Sequence, residues 1–212
     1  MIAATDVLSE ARKLGLDPTP EQAGSLAAYL GLLEKWNRST NLVGPRQWRE
    51  MFSTLVLDSF YLAGFLEGLG LPEAPLCLDL GAGAGLPGIP LRALWQRGTY
   101  HLVEVREKRA AFLRVCLGTL KLPGTFVFAG RAQDAAQKLG AADLVLSRAF
   151  LPWPELLPLA RPMLAPGGTL VILANEPPPD LPGDWRLAAE QTYEAAGKPR
   201  YFWGLEPASI SM

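Results

Sequence analysis

Apolar residues recur along the first third of the chain at helical intervals. Ala23, Leu26, Leu30, Leu33 and Trp36 follow one face of a 3.6-residue period. Thr19-Pro20-Glu21-Gln22 stands before them with two signals of a helix start, a Thr/Gln capping box and a proline at the first helical position. A second helical pattern runs from Gln47 to Leu66, with Trp48, Met51, Phe52, Leu55, Leu62 and Phe65 on one side. The stretch between them, WNRSTNLVGPR at 36–46, is rich in polar turn formers and reads as a loop.

From Pro72 the texture changes. Short β-prone runs, LCLDL (76–80), YHLVEV (100–105), TFVFA (125–129), DLVLS (143–147) and TLVIL (169–173), alternate with segments of helical spacing at 86–96, 106–120, 131–139 and 152–164. In the second of these, Phe112, Val115 and Cys116 are expected on one packed face. Such alternation implies a parallel sheet covered on both faces and joined by right-handed crossovers. EPPPDLPGD (176–184) reads as a stiff linker, and β-like runs near 185–190 and 200–205 follow it. The expected organisation is a helical extension over 1–70 and an α/β, Rossmann-like domain over 71–212, with a mostly parallel seven-stranded sheet.

Composition narrows the chemistry. With 49% hydrophobic and 19% charged among 212 residues, the chain has ample material for a core. The single histidine, His101, removes any His-rich metal site, and two cysteines exclude a disulfide scaffold and a four-cysteine zinc site. Cys77 and Cys116 lie in apolar runs and read as small buried hydrophobes. No apolar run approaches the ~18 residues that cross a bilayer. The start, MIAATDVLSEARK, has acids where a secretory signal needs a basic region. A cytoplasmic monomer with no membrane partner is the simplest expectation. The net charge of −1 conceals a pattern: 6 basic against 8 acidic residues over 1–70, 10 against 6 over 71–150, and 4 against 7 over 151–212. The basic middle is either an accident of solvated faces or a local surface for an anionic ligand or nucleic acid.

The most informative stretch is LCLDLGAGAGLPGIPL (76–91), in which a strand delivers Asp79 and then Gly81, Gly83 and Gly85 before a helix. Glycines here allow positive φ and a close approach of ligand to backbone. The spacing departs from the dinucleotide pattern G-x-G-x-x-G, and no Gly-Lys-Ser/Thr of a P-loop is present. An acid upstream of G-x-G-x-G fits S-adenosylmethionine (SAM), whose methionine half carries an ammonium that Asp79 can attract through water. Gly81, Ala82, Gly83, Gly85 and Pro87 are then expected along the cofactor. Glu104, with Val105 beside it, ends the second strand where a carboxylate accepts both ribose hydroxyls. The competing reading of Glu104 is a helix cap or a salt bridge to Arg106 or Lys108. Arg131, Ala132 and Gln133 follow the third strand, where adenine should lie, unless they merely start a helix. LAPGGTLVIL (164–173) resembles the phrase before strand five of class I methyltransferases.

The fourth strand ends Ser147-Arg148-Ala149-Phe150, without the Asn/Asp-Pro-Pro-aromatic turn used for amino-group methylation. Neither cysteine is placed for pyrimidine carbon-5 chemistry, which needs a thiol nucleophile. Guanine N7 attacks a sulfonium methyl without first losing a proton, so its enzyme needs alignment and a positive clamp rather than a general base. Arg148 suits such a clamp, on the SAM carboxylate, guanine O6 or a phosphate; the bland reading is a surface salt bridge.

Asn41-Leu42, Leu57-Asp58-Ser59, DLGAGAGLPGIPL, Glu104-x3-Lys108-Arg109-x2-Phe112-Leu113, Gly130-Arg131-Ala132 and Ser147-Arg148-Ala149 occur in the order of one family. Over about 25–175, with a weaker echo at Arg200, the chain resembles the small-subunit rRNA methyltransferase G (GidB) family. The resemblance implies a class I methyltransferase domain behind a small helical part, SAM as cofactor, and N7 methylation of a guanosine in 16S rRNA or the small ribosomal subunit. It makes Arg148 and Asp58 the candidate catalytic residues. The chain departs from the family at Thr54 and Leu55, where R-H usually stands, at Gln133 in place of an acid, and at Ala174 in place of a lysine. Two alternatives therefore stay open, a SAM enzyme acting on a small molecule or protein and a non-catalytic SAM-binding assembly protein.

Overall fold

Thr19 and Gln22 make both bonds of the expected capping box: the Thr19 hydroxyl accepts from the Gln22 N–H at 3.2 Å, and the Gln22 side chain accepts from the Thr19 N–H at 2.9 Å. They start α2 (Pro20–Thr40), against which the short α1 (Ala4–Lys13) buries Val7 and Ala11. The computed structural model describes residues 1–208. Residues 36–40, expected in a loop, form the last turn of α2. The Ser39 and Thr40 hydroxyls donate to the Trp36 carbonyl at 3.3 and 2.6 Å, so polar side chains stay compatible with the helix end. Asn41, in the left-handed region at φ 46°, ends the helix. The buried Asn37 side chain then holds the following loop, accepting from the Val43 N–H and donating to the Val43 and Pro45 carbonyls.

The second helical pattern is interrupted. α3 (Trp48–Met51) passes through a π-helical turn at Phe52–Val56 into α4 (Leu57–Glu67). Apolar spacing alone does not reveal this, because a single π turn shifts the face by only one residue.

The strands are β1 (Leu76–Leu80), β2 (Thr99–Glu104), β3 (Thr125–Ala129), β4 (Ala142–Arg148), β5 (Leu164–Ala174), β6 (Trp185–Ala195) and β7 (Lys198–Pro207). The helices α5 (Gly88–Leu94), α6 (Glu107–Thr119), α7 (Ala132–Leu139) and α8 (Trp153–Ala160) cross between the first five strands. The sheet order is β3-β2-β1-β4-β5-β7-β6, parallel except for β7, which runs antiparallel to both β5 and β6. β5 begins at Leu164 rather than Thr169, taking in the Pro-Gly-Gly segment through an irregularity opposite Ala142–Leu144. The two short terminal runs become one long hairpin. Its two-residue turn, Ala196-Gly197, has φ of 52° and 71°, the geometry whose twist matches paired strands.

Along β1, Cys77 and Leu78 feed opposite faces, as a strand period of two requires. One core holds Leu26, Leu30, Leu33, Phe52 and Leu62 together with Cys77, Leu102, Phe112 and Leu146, so the N-terminal helices share a core with the sheet. The other lies across the sheet, among Leu78, Val145, Leu156 and Leu170. Both cysteines are fully buried, whereas Val115, expected beside Cys116, is 39% exposed because α6 turns it away from the sheet. Strand order reverses between β1 and β4, which opens a crevice beyond their carboxyl ends.

At the opposite end of the sheet Arg92 of α5 is fully buried. It donates to Thr125 Oγ1 and to the carbonyls of Trp95, Arg97 and Pro123, with bonds of 2.7–3.1 Å, tying the starts of β2 and β3 to α5. Among the described residues no carboxylate pairs with it. Arg92→Met should leave several buried acceptors without a donor and lower the unfolding free energy by roughly 3 kcal/mol or more, read from urea denaturation.

Candidate active site

β1 ends in the glycine loop, where Gly81, Gly83 and Gly85 all have positive φ, of 67°, 58° and 81°. Gly81 carries a second constraint. A Cβ there would lie 2.5 Å from the Phe150 ring, which the turn after β4 lays against it. The turn itself is strained, with Ala149 at φ 51°, a conformation that concentrates at functional sites. The N-terminal helices hold the loop from behind. The Tyr29 hydroxyl of α2 donates to the Ala84 carbonyl at 2.8 Å, and Ser59 of α4 donates to the Pro87 carbonyl at 3.1 Å.

A cleft of about 450 Å³ opens in front of the loop. Six of the residues expected at the cofactor line it: Gly81, Glu104, Val105, Arg131, Ala132 and Gln133. Glu104 is 4% exposed, and its two carboxylate oxygens accept from the Gly83 and Arg106 N–H groups at 2.9 and 2.8 Å. Its fixed position thus comes from backbone donors, and no salt bridge to Arg106 or Lys108 forms. Val105 is 62% exposed, an apolar side chain at the cleft wall. The cleft also takes in Arg106, Arg109 and Phe150, which sequence reasoning did not place there. Among the described residues none of the three lining arginines forms an ion pair. Arg109 had a signal in its KR motif, and Phe150 had one in its position after the fourth strand.

Ala82, Gly83, Gly85 and Pro87 form the body of the loop and do not line the cleft. Asp79 lies beneath it. Asp79 is 1% exposed, its carboxylate accepts from the Tyr100 hydroxyl at 3.1 Å, and it packs so close to Gly88 that a Cβ there would lie 2.4 Å from its Oδ2. Burial outweighs this donor and the nearby Arg148 charge, and pushes the Asp79 carboxyl up to about 7.

Arg148 and Asp58 line a second, smaller cavity of about 190 Å³, with Ala149, Asn175, Tyr193 and Arg200. Arg148 is paired, though not at the surface. Its Nη2 lies 3.0 Å from Asp58 Oδ2, with side-chain exposures of 16% and 2%. Its Nη1 donates to the Leu55 carbonyl on the π turn at 3.2 Å. Arg200 donates to Asn175 Oδ1 at 2.5 Å. Ala149 belongs to the lining of both cavities. Tyr193, which donates to Asp58 Oδ1 at 2.9 Å, gave no sequence signal. No group of three or more His, Cys, Asp or Glu able to hold a metal occurs among the described residues.

Residues 22–180 match the model of the family described as GidB, rRNA small subunit methyltransferase G. The chain belongs to this family. A GidB relative from Nitratidesulfovibrio vulgaris (strain DP4), named ribosomal RNA small subunit methyltransferase G, is 54% identical over 200 residues, covering 94% of this chain and 92% of its own. Another with the same name, from Lawsonia intracellularis, is 41% identical over 211 residues, covering 99% and 98%. Solved structures agree in fold. The Bacillus subtilis M1A22 tRNA methyltransferase TrmK has a TM-score of 0.54 at 14% identity over 74% of this chain and 68% of its own. The precorrin-6y C5,15-methyltransferase of Geobacter metallireducens has a TM-score of 0.50 at 16% identity over 69% and 86%. The expected family and class I methyltransferase fold are both found, and the GidB chain is a methyltransferase.

The raised Asp79 pKa has a stability consequence. Between its ordinary value near 4 and about 7, the folded protein keeps the proton that the unfolded chain releases, so this group's contribution to stability falls as pH rises through that window. Asp79→Asn cannot ionise. Its melting temperature relative to the parent should therefore rise steadily from pH 4.5 to 7.5, as followed by differential scanning calorimetry.

Proposed function

We propose that this chain transfers the methyl group of SAM to N7 of a guanosine in 16S rRNA, within the small ribosomal subunit. The observation that carries this reading is a pair of cavities that share Ala149 in their linings, one beside Gly81 and Glu104 and the other holding two arginines. The glycine-loop cleft fits SAM by its donor set. Glu104 presents a buried, pre-oriented carboxylate for vicinal ribose hydroxyls, Val105 and Ala132 offer apolar walls for adenine, and Gly81 lets the Phe150 ring pack against the loop. Asp79, buried beneath the loop and outside the cleft lining, supports the site by holding the start of β2 and α5 rather than by touching the ligand. Arg109, whose guanidinium lies near Gly83, is suited to the carboxylate. SAM supplies an electrophilic sulfonium methyl.

The second cavity is suited to a guanine edge. Guanine O6 accepts a hydrogen bond and can take one from an arginine, which leaves the adjacent N7 lone pair free to attack the methyl. Arg148 is held at two points, so its guanidinium is oriented before the acceptor arrives, which is where electrostatic stabilisation gains most. N7 carries no proton, and accordingly no base has to be built. Leu55 in place of histidine is compatible with that chemistry, since its carbonyl rather than its side chain meets Arg148. A thiol route is disfavoured, because burial pushes Cys77 and Cys116 up to about 12 and neither lines either cavity. With Arg109 given to the cofactor carboxylate, Arg106 and Arg131 at the cleft remain to meet phosphates, which gives the near-neutral chain a local attraction to RNA.

Small subunits lacking the modification, incubated with the protein and methyl-labelled SAM, test this. Label should enter 16S rRNA at a single guanosine that then becomes open to N7-specific chain scission. Arg148→Ala should slow transfer about a hundredfold, the scale of losing one transition-state donor. Arg148→Lys should not restore it, because a lysine lacks the planar fork. Label in protein or in small molecules alone would sink the proposal.

A further inference from the structure

We propose that Tyr193 is a positioning residue for methyl transfer, its hydroxyl holding Asp58 and, through Asp58, the Arg148 guanidinium at the wall of the smaller cavity. This rests on reading that cavity as the acceptor side.

Asp58 is 1% exposed, and its two oxygens divide between two partners, Oδ2 with Arg148 and Oδ1 with Tyr193. No other hydrogen-bond donor reaches this carboxylate among the described residues. A buried carboxylate held on one side only is free to rotate or to draw its arginine with it, whereas one held on both sides fixes the direction of the pair. Tyr193 can impose that direction because its own ring is clamped. It stacks on Tyr61 of α4 at 4.7 Å and packs against Phe202 of β7 at 4.6 Å. Burial and the neighbouring Asp58 carboxylate raise the phenol above its ordinary range, so it remains a donor throughout the working pH range. Tyr193 also lines the smaller cavity itself. Three elements far apart in sequence, β6, α4 and β4, thereby meet in one chain of hydrogen bonds that ends at the arginine.

A tyrosine in an aromatic cluster often serves packing alone. Tyr193→Phe separates the two roles, since it keeps the ring between Tyr61 and Phe202 and removes only the hydroxyl. On small subunits the variant should show kcat lowered about tenfold, with SAM affinity by calorimetry within twofold of the parent and a melting temperature close to it. Tyr61→Phe, which removes a neighbouring hydroxyl outside this chain of bonds, should leave kcat unchanged. Single-turnover rates with enzyme in excess keep slow proteins measurable. In an Asp58→Asn background, Tyr193→Phe should change the rate by less than twofold, because its effect passes through that carboxylate. Parental kcat in Tyr193→Phe, a parallel loss of SAM affinity, or full additivity with Asp58→Asn would each overturn the inference. A parent protein that methylates no guanosine in subunits would instead overturn the acceptor reading beneath it.

Discussion

The buried pair of Asp58 and Arg148 is the contact on which the active edge of this molecule depends. Taking two charges out of water costs several kcal/mol per ion, and their attraction offsets that only with good geometry and with other hydrogen bonds in place. Those bonds are present: the Leu55 carbonyl serves the arginine and the Tyr193 hydroxyl serves the aspartate. A hydrophobic pair of similar volume would cost less, so stability alone does not account for the arrangement. A charged fork held rigid at the mouth of a cavity does. The same pair fastens α4 to the end of β4, while Tyr29 and Ser59 fasten α2 and α4 to the glycine loop. The helices before the sheet are thus part of the apparatus that shapes both cavities.

Charge is sorted by position in the fold. The net charge of −1 opposes any general attraction to RNA. Yet the carboxyl edge gathers Arg106, Arg109 and Arg131 at one cavity and Arg148 and Arg200 at the other. The acids there, Glu104 and Asp58, are buried and already engaged. The basic middle third of the chain supplies four of these five arginines, which explains why its excess of positive charge matters more than the total.

The half of the site proposed for the cofactor draws on residues that are local in the sequence. Asp79, the glycines and Glu104 lie at the ends of adjacent strands within thirty residues, and strand-loop-helix physics places them together. The smaller cavity, proposed for the acceptor, is lined by residues 58, 148, 175, 193 and 200, and no short pattern joins them. Tyr193 sits on a strand whose hairpin turn, Ala196-Gly197, lacks the usual Asn-Gly or Asp-Gly signal. The π turn was invisible for a different reason, since its apolar spacing is that of a helix. Residues 36–40 misled because Ser39 and Thr40, which favour turns, return their hydroxyls to a helix carbonyl.

The two cavities are proposed to bring one guanosine N7 to a sulfonium methyl. Nucleoside mass spectrometry of 16S rRNA from cells lacking this chain tests it most directly. One N7-methylguanosine should be lost, and restored by the parent gene but not by its Arg148→Ala form. An unchanged N7-methylguanosine content in the deletion would contradict it.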